Sequence, residues 1–197
     1  MKLTFGARPL ESWFDCARWD RTELSVLEED AKKGVFDRYS VELVGRPGEA
    51  SDSVFERARR ALLAYRIFPA LRMRYCVCTP DQQIVPEATI IQRVILGPVR
   101  IEMGVRVLEV IDRRTRDERR VGFTYATLKG HAERGIATFY VRQEHPTGSV
   151  SFNIESWSRP GNWLASCMRP FARFVQKKFT SEALAHFRSL VTDLPDN

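Results

Sequence analysis

The chain has 197 residues, of which 44% are hydrophobic and 28% charged, with a formal net charge of +6. That length suits one domain burying roughly 70% of its unfolded surface, and the composition excludes disorder, collagen and coiled coil as the main architecture. No stretch approaches the roughly 20 apolar residues of a membrane helix. Residues 1–9 lack the apolar core of a signal peptide, so the cytoplasm is the expected compartment.

Residues 1–33 form an N-terminal segment, of which 8–33 read as irregular. Leu10, Trp13, Phe14 and Ala17 keep helical spacing, as do Leu24 and Leu27, which predicts helix there. Gly34 ends it, and a single core domain is expected over 34–194. Residues 37–44 alternate polar with apolar side chains, as a half-buried strand does. Gly45-Arg46-Pro47-Gly48 breaks that strand. Next, Ser53-Val54-Phe55-Glu56 has the form of a capping box. Val54, Phe55, Ala58, Ala61, Leu62 and Tyr65 recur at three and four, predicting a helix that Pro69 closes.

From 71 to about 158 strand follows strand. Leu71, Met73, Tyr75 and Val77 alternate with Arg72, Arg74, Cys76 and Cys78. Residues 88–96 form a second run, closed by Gly97-Pro98. Val99, Ile101, Met103, Val105 and Val107 then share one face, but at Leu108 the phase flips, which predicts a β-bulge near Val107-Leu108. Val121, Phe123 and Tyr125 mark another strand, residues 136–142 a further one, and Val150, Phe152 and Ile154 the last. Ser158 to Asn162 reads as a turn. Leu164, Met168, Phe171, Val175, Phe179, Ala183, Phe187, Leu190 and Val191 then predict a long helix, with a kink or a short first segment at Pro170.

Strands in a run with helices apart from them give an α+β pattern. The expected architecture is a helix grip: a curved antiparallel sheet of about six to seven strands wrapped on a long C-terminal helix. A sheet gripping a helix readily leaves a cavity between them, where small molecules bind.

The densest charge cluster, Asp112 to Arg120, holds five arginines and three acids. It reads as a solvated hairpin tip and lacks the interleaved aromatics of a nucleic-acid stacking platform. Of the four cysteines, Cys76 and Cys78 lie two apart and would share one face of a strand. No second pair accompanies them, and His131, His145 and His186 are scattered. No metal or other cofactor is therefore expected, and the cysteines read as reduced, buried thiols.

Gly122-Phe123-Thr124-Tyr125-Ala126-Thr127-Leu128-Lys129-Gly130-His131-Ala132-Glu133-Arg134-Gly135 resembles the central signature of the uncharacterised DUF1990 family. Val150 to Ile154 with Ser158-Arg159-Pro160, and Ala172 to Gln176, resemble its late strand and C-terminal helix. The resemblance runs over about residues 50–190. It implies an architecture similar to the START-like, Bet v 1-like (SRPBCC) helix-grip superfamily, which holds apolar-ligand carriers and small enzymes. It fixes no reaction.

His131 lies in a two-glycine loop between strands. With Glu133 it reads either as an oriented acid/base or as a loop residue bonding backbone. Tyr125 on the preceding strand is either a core tyrosine or a polar handle. The candidate catalytic group is His131, Glu133 and Tyr125. The candidate ligand-binding residues are Met103, Phe123, Tyr125, Thr127, Phe139, Phe152, Trp157 and Arg159. Arg169, Arg173, Lys177 and Lys178 make a basic stripe on the last helix.

Three functions compete. The first is binding of an apolar or amphipathic small molecule between sheet and C-terminal helix. The second is a small cyclase-, lyase- or hydrolase-type enzyme using His131. The third is a nucleic-acid or anionic-membrane surface binder. The sequence leaves ligand identity, catalysis and oligomeric state open.

Overall fold

The structure is a computed structural model describing residues 2–5, 14–26, 30, 34–45, 47–131, 133–160 and 169–193. Its elements run β1 (Lys2–Phe5), α1 (Cys16–Asp20), β2 (Val35–Glu42), α2 (Ser51–Leu63), β3 (Met73–Val77) and β4 (Thr89–Leu96). They continue with β5 (Val99–Arg114), β6 (Glu118–Thr127), β7 (Glu133–Glu144), β8 (Val150–Pro160) and α3 (Arg169–Asp193). The strands form one curved antiparallel sheet in the order β2-β8-β7-β6-β5-β4-β3. β1 adds an eighth strand, paired with Val99–Glu102 of β5 below the point where β6 begins to pair. That strand lies ahead of residues 8–33, in a stretch for which the sequence pattern named no element.

Strand parity sorts the side chains. Ile90, Val105, Val107, Val121, Phe123 and Phe139 are buried together on the inner face, with the apolar sides of α2 and α3. On α3, Ala183, Phe187 and Val191 are fully buried at intervals of four, and Phe187 stacks on Phe152 with ring centroids 4.1 Å apart. α3 is continuous from Arg169 through Pro170 to Asp193; the place of a short segment before Pro170 lies outside the described residues. The expected upstream stretch, Leu164 to Met168, and the turn's Gly161-Asn162 lie outside the described residues, as do Leu10, Trp13 and Leu27.

The bulge lies where the alternation places it. Pairing passes from Val107↔Tyr125 to Glu109↔Thr124, which leaves Leu108 as the extra residue. Two expectations about α2 are corrected. Its N-cap is the extended Ala50, and Ser53 sits inside the first turn, so no capping box forms. The helix ends at Leu63 well before Pro69, because Tyr65 takes a left-handed backbone (φ +55°) that turns the chain.

The outer face is covered by residues 14–26. Trp19 is 1% exposed and donates its indole N–H to Glu102 Oε1 at 3.2 Å. Glu102 Oε2 accepts from the buried Arg93 guanidinium at 2.8 Å. Gly104 permits this cover: a Cβ there would lie 2.5 Å from the Trp19 ring. The reading of the cysteines as reduced thiols is corrected for Cys16 and Cys78, while Cys167 lies outside the described residues. Cys76 and Cys78 do share the outer face, but the segment crossing that face brings Cys16 to them, and Cys16 is bridged to Cys78. Cys76 carries no bridge.

The basic residues are spread over many elements. Arg119 pairs with Glu56, Arg120 with Glu118, Arg38 with Glu155 and Arg72 with Glu182, so much of the surface charge is matched locally. The basic stripe rests partly on Arg169 and Arg173, whose side chains lie outside the described residues; Lys177 and Lys178 are exposed. Among the described residues no helix is long and apolar enough to cross a membrane.

Candidate functional site

A cavity of about 180 Å³ opens between the inner face of the sheet and Phe179 and Thr180 near the middle of α3. Its cause is local. Two cross-strand pairs of β7 and β8, Gly135↔Ser158 and Ala137↔Ser156, put four small residues side by side. Among the described residues of α3, Phe179 and Thr180 border this low patch. Further along α3, Phe187 meets the full-sized Phe152, and the gap closes.

The walls are mostly apolar: Phe68, Met73, Val94, Met103, Phe139 and Ile154. The polar side chains on its lining are Gln92, Tyr125, Thr127, His131, Glu133, Ser156, Ser158 and Thr180. Gln92 donates to the fully buried Tyr65 hydroxyl at 2.6 Å. Burial pushes the Tyr125 phenol up to about 12, with hydrogen bonds to Gln92 and Tyr65 working against it. Tyr125 is therefore protonated at neutral pH and able to donate. Thr127 is different, since its hydroxyl accepts from Gly135 N–H at 2.9 Å and contacts Ser25 Oγ at 2.6 Å. It clamps the base of the β6–β7 hairpin, so its polarity is already engaged.

His131 sits after Gly130, whose φ of +88° favours glycine and makes the loop tight. The ring Nδ1 lies 3.1 Å from Glu133 N–H and 2.9 Å from Glu133 O. The backbone of Glu133 thus orients the ring, where the sequence pattern pointed to the carboxylate. Burial pulls the imidazole down to about 4, opposed by the bond to the Glu133 backbone. His131 and Tyr125 keep some accessible surface because they face the cavity, while protein surrounds their other sides.

The sign follows directly. A histidine held below its ordinary value of about 6.5 favours the fold when neutral. Its contribution is complete above about 6.5 and is lost as pH falls towards about 4, up to about 3 kcal/mol. Urea titrations at pH 7, 5 and 4 should show the parent losing more stability than His131→Asn over that window. Parallel losses would contradict the burial of a neutral ring.

Of the residues nominated from sequence, the cavity brings together Met103, Tyr125, Thr127, His131, Glu133 and Phe139. Trp157 also borders it, but the indole packs on the outer face, 4.7 Å from the ring of Phe36. Three nominations are corrected. Phe123 and Phe152 are fully buried in the core, beneath Tyr65 and Phe187 respectively, and do not line the cavity. Arg159 shares strand parity with Trp157, away from the cavity, and does not line it. Sequence reasoning missed Gln92, although a lone amide inside the apolar run of β4 is a signal of a polar demand there. It also missed the small-residue repeats Gly135-x-Ala137 and Ser156-x-Ser158.

The sequence model of the family described as "Domain of unknown function (DUF1990)" matches residues 29–186. A UPF0548 protein of Dictyostelium discoideum is 34% identical over 68 residues, which is 32% of this chain and 32% of that relative. Among solved structures, a hypothetical protein of Helicobacter pylori aligns with a TM-score of 0.53 at 9% identity, covering 79% of this chain and 87% of that one. Norcoclaurine synthase of Thalictrum flavum, in complex with dopamine and hydroxybenzaldehyde, aligns with a TM-score of 0.50 at 11% identity, covering 87% and 95%. At such identities the likeness is one of fold, the Bet v 1-like helix grip.

Proposed function

The chain belongs to the DUF1990 family, and we propose that its cavity binds one small amphipathic molecule: a single ring, or a chain of similar bulk, bearing an oxygen-containing polar group. The observation that carries this reading is a largely apolar-walled cavity of about 180 Å³ onto which Tyr125 and His131 also open. Cavities of about 150 Å³ hold a benzene ring, so one ring fits and fused multi-ring molecules do not. Protonated Tyr125 suits an oxygen acceptor on the ligand, and neutral His131 suits a hydroxyl. Norcoclaurine synthase, of the same fold, is complexed with two single-ring molecules, which supports this size class.

Native mass spectrometry of the purified protein tests the reading. A retained small molecule, or saturable one-to-one binding from a panel of single-ring phenols and aldehydes, is the expected result. Tyr125→Phe should weaken that binding about tenfold, the worth of one buried hydrogen bond. Neither retained mass nor binding from the panel would end the proposal.

One observation favours a second reading, catalysis. A neutral imidazole and a protonated phenol share the same cavity, the pairing that proton transfer within a bound ligand uses. Under this reading His131→Asn abolishes turnover and leaves ligand affinity nearly unchanged.

A further inference from the structure

The cysteine cluster lies on the opposite face of the sheet from the cavity and has no part in ligand binding. Cys76 and Cys78 project from one side of β3 and its extension, and Cys16 is the first residue of α1, which lies across them. The three sulfurs all lie within 4.8 Å of one another. Cys16 and Cys78 form a bridge, and the Cys76 sulfur stands 3.9 Å from that of Cys16. A bridge needs two sulfurs, so the third calls for a separate explanation. Metal–thiolate bonds of about 2.3 Å in tetrahedral geometry set sulfurs about 3.8 Å apart, the spacing already present between Cys16 and Cys76.

We propose that, once the bridge is reduced, Cys16, Cys76 and Cys78 together bind one thiophilic ion of the zinc type. The cluster then has two mutually exclusive states, disulfide or metal. Two electrons and two protons from a dithiol reductant open Cys16–Cys78 to two thiols. Binding of the divalent ion next displaces three thiol protons and forms three metal–sulfur bonds. No His, Asp or Glu donor joins the group among the described residues, so water or an exogenous thiol completes the shell. Thiolates select soft ions over magnesium and calcium. Either state fastens residues 14–26 to the outer face, since Cys16 is the only one of the three on that segment.

Cadmium titration of the full chain tests this, read by the ultraviolet thiolate-to-cadmium band. Protein reduced with a phosphine and then freed of it under nitrogen should take up one equivalent. The oxidised protein should take up none at comparable affinity. Cys76→Ser leaves the bridge pair intact and should fold normally by circular dichroism. It should nevertheless bind cadmium about a hundredfold more weakly or worse, since losing even an outer-shell partner costs about 10–100-fold. Equal affinity in Cys76→Ser, or no band in the reduced parent, would overturn the proposal and leave a plain disulfide strap.

Discussion

Glu102→Ala is expected to destabilise the protein by about 3–5 kcal/mol, the cost of stripping one partner from a buried ion pair. Glu102 lies on the outer face of β5, with one carboxylate oxygen 2.8 Å from Arg93 and the other accepting the Trp19 indole N–H. Removing it leaves the Arg93 guanidinium in a buried site without its carboxylate and Trp19 without its acceptor. Glu102→Gln keeps an acceptor for Trp19 and should lose less. A combined Arg93→Met, Glu102→Leu variant should recover most of the loss, because an apolar pair of similar bulk carries no desolvation cost. Urea denaturation followed by tryptophan fluorescence measures all three. A loss from Glu102→Ala below about 1 kcal/mol, the size of a surface ion pair, would show that residues 14–26 do not seal that face.

Ala137→Phe is expected to weaken ligand binding by at least about a hundredfold, which corresponds to about 2.7 kcal/mol. Ala137 pairs with Ser156 on β8 and with Tyr125 on β6, so a ring at 137 enters the cavity beside the phenol. It would occupy the volume that the small-residue patch leaves open. Overpacking a filled core costs about 1–3 kcal/mol; here the added ring enters empty space, so stability should fall less than that or rise. Unchanged affinity with an unchanged melting temperature would place the bound molecule elsewhere.

Much of the fold was legible because period-two alternation is a local signal. The phase flip at Leu108 located the bulge from sequence, since one inserted residue inverts every side chain after it. The C-terminal seam of Ala183, Phe187 and Val191 was legible in the same way. The outer cover was not. Trp19 is buried by contacts 83 residues away in sequence at Glu102, and nothing in its own neighbours encodes that. The Cys16–Cys78 bridge, separated by 62 residues, was hidden for the same reason.

The cavity was half legible. Tyr125, His131 and Glu133 stand out as polar residues at a strand end and tight loop. Phe123 and Phe152 share the inward parity of true lining residues, and parity cannot tell a side chain under a helix from one beside a gap. What separates them is where α3 meets small residues and where it meets large ones, and that depends on the three-dimensional path of the helix. Arg159 was misplaced by a simpler error, because its parity with Trp157 puts it on the outer face.

The central claim is that a small molecule binds between the sheet and α3, and methionine-methyl NMR addresses it most directly. Of the four methionines, Met73 and Met103 line the cavity, and Met73→Leu and Met103→Leu variants assign their signals. Titration with single-ring phenols should shift the Met73 and Met103 methyl resonances saturably and together, and Ala137→Phe should abolish the response. Saturable binding that leaves Met73 and Met103 unmoved, or shifts that persist undiminished in Ala137→Phe, would contradict it.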